Sequence, residues 1–318
     1  MKRLVAEPSG ALTLEEVAAS PVAETVPPAT LRARVAAYVA LTKPRIIELL
    51  LVTTVPSMVV AEGGWPSWVL VLNTLVGGAL SAGGANAINC YVDRDIDEVM
   101  PRTRRRPLPM HQVEPGRALA FGIALGVAAF FYLWVTVNLI SAVLTTIALL
   151  FYVFVYTLGM KRSTPQNIVI GGAAGAFPAL VGWSAVTGTV ELPALALFGI
   201  IFYWTPPHFW ALAMRYEKDY AAAGVPMMPV VYGREETAKH VLLYTFLLLA
   251  MSLVFFSVGR MGAIYLTSAL VLNGIFVYGA IRLYRDTVPT VAWWLFRYSI
   301  YYLALLFGSM ALDRLLLA

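Results

Sequence analysis

The chain has 318 residues, of which 59% are hydrophobic and 13% charged, with a formal net charge of +5. That balance lies far outside the soluble range, so one or two soluble domains are excluded and an integral membrane protein is expected. A single cysteine, Cys90, excludes an intramolecular disulfide and any Cys-x-x-Cys redox or zinc site, and reads as a small helix residue.

Residues 1 to about 40 are rich in Ala, Pro, Val and Glu and lack the uninterrupted apolar core of a signal peptide, so the sequence predicts a disordered tail over 1–40 and a membrane domain over 41–318. Apolar runs then predict nine helices, near 46–62, 68–91, 115–136, 140–159, 167–187, 193–213, 238–258, 262–281 and 294–314. The stretch from Ala118 to Met160 has no charged residue. It is twice the roughly 20 residues one span needs and must fold back, near Asn138. Gly171, Gly172, Gly175, Pro178 and the run Thr205-Pro206-Pro207 predict close helix packing and locally broken helices.

Loops after the even-numbered spans hold Arg94, Arg102, Arg104, Arg105, Arg106, Lys161, Arg162, Arg215, Lys218, Arg234, Lys239, Arg282 and Arg285, while the opposite side has little beyond Arg260 and Arg314. The positive-inside rule places the basic loops and the N-terminus in the cytoplasm and the C-terminus opposite. The positive charge is thereby assigned to topology, and no nucleic-acid partner is expected.

The second span runs into Asn89-Cys90-Tyr91-Val92-Asp93-Arg94-Asp95-Ile96-Asp97. Asn89, Asp93 and Asp97 are spaced i, i+4 and i+8, which puts them on one helix face over roughly 12 Å and points Asp95 elsewhere. Aligned carboxylates repel one another, so the spacing points to a divalent cation, and oxygen-only ligands favour magnesium over zinc. Arg102, Arg104, Arg105 and Arg106 follow at once, and guanidinium forks suit phosphate oxygens. Together these describe a clamp for a metal-bound diphosphate. The bland alternative is an ordinary cytoplasmic loop whose acids are solvated and whose arginines only obey topology.

The sixth span contains Trp204-Thr205-Pro206-Pro207-His208-Phe209-Trp210, and Arg215-Tyr216-Glu217-Lys218-Asp219-Tyr220 follows at its cytoplasmic end. With Lys161-Arg162-Ser163-Thr164-Pro165-Gln166-Asn167, Gly171-Gly172 and Pro226-Met227-Met228-Pro229, these segments resemble the UbiA superfamily of membrane prenyltransferases. The runs Arg102-Thr103, Arg106-Pro107-Leu108-Pro109 and Thr205 to Ala211 are similar to its heme-farnesylating members. The likeness covers about residues 38 to 316.

The resemblance implies an all-α integral membrane protein, a nine-helix bundle around a central cavity in the bilayer of the bacterial inner membrane. It implies transfer of farnesyl from farnesyl diphosphate to a vinyl group of heme B, with addition of water, to give heme O. Carried over, Asn89, Asp93, Asp97 and Asp219 are the catalytic set, with Mg2+ on Asp93, Asp97 and Asp219. Arg102, Arg105, Arg106, Lys161, Arg162, Lys218 and Tyr220 contact substrate. The second segment departs from the family's Asp-x3-Asp pair, because Arg215 stands four residues before Asp219. Heme A synthase or a terminal-oxidase assembly factor is the protein partner such an enzyme implies.

His208, inside an apolar span, reads either as a heme contact or as a packed, hydrogen-bonded histidine. Two rival functions stay open at this point. One is a prenyltransferase for a quinone precursor or chlorophyllide, with nearly the same ladder. The other is a transporter, whose charges belong near the midplane rather than at one face.

Overall fold

The structure is a computed structural model that describes residues 30–317. Most of the expected tail, residues 1–29, lies outside the described residues. The end of that tail departs from the expectation of disorder, because Leu31–Leu41 form helix α1. Thr30 caps it by accepting from the Ala33 amide at 3.3 Å. Ala37 and Leu41 are buried with Ala87, Cys90 and Ala118, and that packing holds the short helix.

The remaining helices are α2 (Pro44–Glu62), α3 (Trp68–Val92), α4 (Arg94–Val99), α5 (Pro115–Thr136), α6 (Leu139–Met160), α7 (Asn167–Thr187), α8 (Leu192–Arg215), α9 (Glu217–Ala222), α10 (Met228–Val258), α11 (Ala263–Arg285) and α12 (Pro289–Leu317). Among the described residues eight helices are long and apolar enough to cross a membrane. Helix α2, 19 residues long, stands where the first of the nine spans is predicted. Neighbouring helices pack in a closed ring in the order α2, α3, α5, α6, α7, α8, α10, α11, α12 and back to α2. The chain is thus a multi-pass membrane protein.

Two helices of the ring are the most enclosed by their neighbours: 67% of the most apolar stretch of α7 and of α8 is buried, against 22% for α5 and α6. Helices α5 and α6 therefore present apolar side chains to lipid, as bundle helices at a membrane periphery must. Small residues allow the close approaches. A Cβ on Gly84 would lie 2.7 Å from the Gly122 carbonyl oxygen, so α3 and α5 touch backbone to backbone. The expected tight packing also holds at Gly171 and Gly172, which abut Tyr156 and Thr205, whereas Gly175 faces open space.

The chain folds back at Asn138 as expected. Its Oδ1 accepts from the Ser141 amide at 2.8 Å to start α6, and its Nδ2 donates to the Ser184 carbonyl at 2.8 Å. Three features differ from expectation. Helix α8 continues unbroken through Pro206 and Pro207, both buried against its neighbours, and Thr205 Oγ1 donates to the Ile201 carbonyl at 2.8 Å. Helix α10 starts at Met228 rather than 238 and bends at Gly233, whose φ of 78° requires glycine. Helix α12 starts at Pro289, which suits a first helical position. At the far end of the bundle the buried Asp313 accepts from the amides of Gly262, Ile264 and Tyr265, at 2.6, 3.1 and 3.2 Å, and so caps α11.

Candidate active site

Helix α3 ends at Val92 because Asp93, with φ −89° and ψ 4°, leaves helical geometry and becomes the junction to α4. The ladder therefore spans two helices rather than one. The Asp97 amide still donates to the Asp93 carbonyl at 2.9 Å, which keeps the three side chains in sequence along one wall. All three are buried: Asn89 is 3% exposed, Asp93 0% and Asp97 1%. A buried carboxylate without a counter-charge is prohibitively costly, so the partners define the site.

Those partners are basic residues from three separate segments. Lys43 Nζ donates to Asn89 Oδ1 at 2.7 Å. Asn89 Nδ2 in turn donates to Asp93 Oδ2 at 2.7 Å and to Thr157 Oγ1 at 3.1 Å. Lys161 forms an ion pair with Asp93 through Oδ2. Arg106 Nη1 donates to both oxygens of Asp97, at 2.9 and 2.7 Å. Asp93 Oδ1 is left as a buried oxygen with no hydrogen-bond partner, with Arg162 Nη2 3.6 Å away.

Local backbone explains how the cations arrive. The last ten residues of α6, Phe151–Met160, wind as a π-helix. The Lys161 amide donates to the Tyr156 carbonyl at 2.8 Å, five residues back, and Thr157 Oγ1 donates to the Tyr152 carbonyl at 2.8 Å. This wider winding brings Thr157 and Lys161 against Asn89 and Asp93. Such winding concentrates at functional sites. Lys43 adopts a left-handed backbone, φ 53°, directly before Pro44. A non-glycine residue held there costs about 1–3 kcal/mol and persists where its surroundings over-determine it.

Burial pushes the Lys43 amine down to about 8. A lowered lysine value means that its charge disfavours folding below about 8, and that this penalty fades as pH rises from there toward 10.5. The same titration removes a cation from the site. Binding of inorganic diphosphate to the purified protein is therefore expected to weaken as pH rises through about 8. Lys43→Arg should flatten that limb in a calorimetric titration, and an identical limb in the variant would assign it to another group.

Other predicted residues fall into distinct places. Asp95, off the ladder as expected, binds Arg162 through both oxygens at 2.6 Å, and Arg162 also donates to the Val92 carbonyl at 3.0 Å. That fork holds the Asp95 carboxyl down at about 2 and ties α4 to the loop after α6. Arg102 donates to the Tyr220 hydroxyl at 3.3 Å and lies over the Tyr216 and Tyr220 rings, at 5.4 and 5.9 Å. It thereby joins the first acidic segment to the second.

Among the described residues Asp219, half-buried on α9, has no ion pair, and neither do the exposed Lys218 and Arg105. Among the described residues no three acidic, histidine or cysteine side chains gather closely enough to hold a metal, so Asp219 is not brought to Asp93 and Asp97. His208 lies elsewhere, inside α8, against Trp204, Phe209 and Phe296.

Lys43 and Thr157 were not legible as site residues in the sequence. The available signal for Lys43 was a lone cation immediately before the proline that opens the first span.

The chain matches the family model described as the UbiA prenyltransferase family over residues 50–307. A protoheme IX farnesyltransferase of Parafrankia sp. (strain EAN1pec) is 55% identical over 293 residues, covering 91% of this chain and 92% of the relative. The solved structure of a digeranylgeranylglyceryl phosphate synthase shares the fold with a TM-score of 0.75, at 16% identity over 89% of this chain and 99% of that one. A UbiA homologue from Archaeoglobus fulgidus bound to DMAPP and Mg2+ has a TM-score of 0.62, at 17% identity over 85% of this chain and 98% of that one.

Proposed function

Because the chain belongs to the UbiA prenyltransferase family, we propose that it transfers the farnesyl group of farnesyl diphosphate to a vinyl group of heme B, making heme O and releasing diphosphate. The observation that carries this reading is the buried ladder of Asn89, Asp93 and Asp97 met by Lys43, Arg106, Lys161 and Arg162 at one end of the helix ring. Membership in a prenyltransferase family sets the transporter reading aside.

In this reaction the C1–O bond of the farnesyl diphosphate breaks and C1 bonds to the terminal vinyl carbon of heme B. Water adds at the inner vinyl carbon and loses a proton, which gives the hydroxyethylfarnesyl side chain. Negative charge grows on the leaving diphosphate as the allylic bond opens, and preorganised cations stabilise it without reorganisation cost. Lys43, Lys161 and Arg106 supply that charge from half-buried positions, and Arg102 and Arg162 from the rim. The surrounding apolar helices keep bulk water from the cation.

The ladder also fits magnesium. Its donors are oxygens only, and Asp93 Oδ1 is a buried carboxylate oxygen without a partner. Asn89, Asp93 and Asp97 would hold the ion, with Asp219 serving the second acidic segment. A bound Mg2+ supplies Lewis-acid neutralisation of the diphosphate oxygens. Arg105, Lys218 and Tyr220 complete the substrate-contacting rim in this reading. His208 contacts the acceptor. The membrane is the bacterial inner membrane, with the site and the N-terminus facing the cytoplasm as the loop charges indicate. Heme A synthase or a terminal-oxidase assembly factor is the candidate recipient of the product.

The test is mass spectrometry of the hemes in membranes expressing this protein with farnesyl diphosphate available. Heme O is expected. Prenylation of a quinone precursor with heme B left unmodified would replace this reading by the quinone one.

A further inference from the structure

His208 is held by more contacts than a packing role needs. Its ring stacks on Trp204, with centroids 4.2 Å apart and planes 19° from parallel, and the Phe296 ring lies 4.8 Å away. These neighbours fix the plane of the imidazole. Rotation within that plane is fixed by Ser299 on α12, whose Oγ lies 2.7 Å from His208 Nδ1. Trp204 Nε1 donates to the Ser299 carbonyl at 2.8 Å, so both α8 rings are registered on one residue of the opposing helix.

The Ser299 hydroxyl also settles which ring nitrogen carries the proton. Its oxygen lies 2.6 Å from the Phe296 carbonyl, to which it donates its only hydrogen. It can therefore serve His208 only as an acceptor, and Nδ1 must be the protonated nitrogen. Nε2 then carries a free lone pair. Among the described residues Nε2 has no hydrogen-bond partner, and it is absent from the fully enclosed unpaired atoms although the ring is only 7% exposed.

We propose that Ser299 is a positioning residue, setting the His208 tautomer and ring orientation so that Nε2 is presented as an axial ligand to the iron of a metalloporphyrin acceptor. Histidines that bind metals almost always anchor the other ring nitrogen on an acceptor, which fixes the tautomer and raises ligand basicity. Ser299, itself fully buried, fills that place here. The inference rests on heme being the acceptor.

The experiment titrates ferric heme B into the purified full chain in detergent, following the Soret band, for wild type, His208→Ala, Ser299→Ala and Ser299→Thr. Ser299→Ala keeps the backbone carbonyl that holds Trp204 and removes only the hydroxyl. It is expected to weaken heme binding about 10–100-fold. The KM for farnesyl diphosphate should stay at the wild-type value, the melting temperature should fall because a buried imidazole N–H loses its acceptor, and Ser299→Thr should recover both heme affinity and stability. His208→Ala should shift the Soret band, and added imidazole should restore it. Wild-type heme affinity in Ser299→Ala, or an unshifted band in His208→Ala, overturns the inference and leaves the proposed reaction standing. A wild-type protein that takes up no heme B overturns both.

Discussion

Asp93→Asn is expected to lower prenyl transfer by about 10²–10³-fold, the range seen when one preorganised electrostatic group is removed from a reaction centre. Asp93 is fully buried, carries the only unpartnered oxygen of the ladder, and is the counter-charge of Lys161. The amide keeps size and hydrogen bonding but removes one negative charge, so in the proposed role the metal-bound diphosphate would lose its central ligand. Insertion should be unaffected, because the spans depend on apolar length and not on this side chain. Heme products from washed membranes, normalised to the amount of inserted protein, measure the effect. Turnover within a few-fold of wild type would sink the assignment of Asp93 to the metal.

Arg106→Ala should cost both stability and activity, and the two can be separated. Asp97 is 1% exposed and its two oxygens are both held by Arg106 Nη1. Removing the arginine strands a buried carboxylate, for which about 3–5 kcal/mol of destabilisation is expected. The melting temperature in detergent should fall accordingly. Adding Asp97→Asn to the same chain removes the stranded charge and should return much of the lost stability without returning activity. This non-additivity is what two contacting residues show in a double-mutant cycle. Recovery of activity together with stability would mean that the pair is only structural.

The spans were legible because a bilayer demands some 20 apolar residues from each helix, and no soluble alternative imitates that. Asn138 was legible for the same reason, as one polar residue in a run too long for a single span. What stayed hidden is long-range. Lys43 meets Asn89 across 46 positions and Arg162 meets Asp95 across 67, and no local pattern pairs such residues. The ladder's spacing survived a change of helix at Asp93 because the amide of Asp97 still bonds back to it. The break expected at Pro206 and Pro207 did not occur, since a helix buried on most sides is held by its neighbours even where two amide hydrogens are missing. His208 could be seen from sequence only as a polar group in an apolar span. Its partner Ser299 lies 91 residues away on another helix.

The mutual pairing of ladder and cations carries a thermodynamic consequence. Asp93 and Asp97 are neutralised by Lys161 and Arg106, the same groups assigned to the diphosphate. A metal arriving alone competes with those cations for the carboxylates, and a diphosphate arriving alone must draw the cations away and leave acid groups stranded. Each ligand thus prepares the place of the other, and the gain is reciprocal by linkage. If magnesium and prenyl diphosphate share this site as proposed, they should bind as a synergistic pair, each more weakly alone than in the presence of the other.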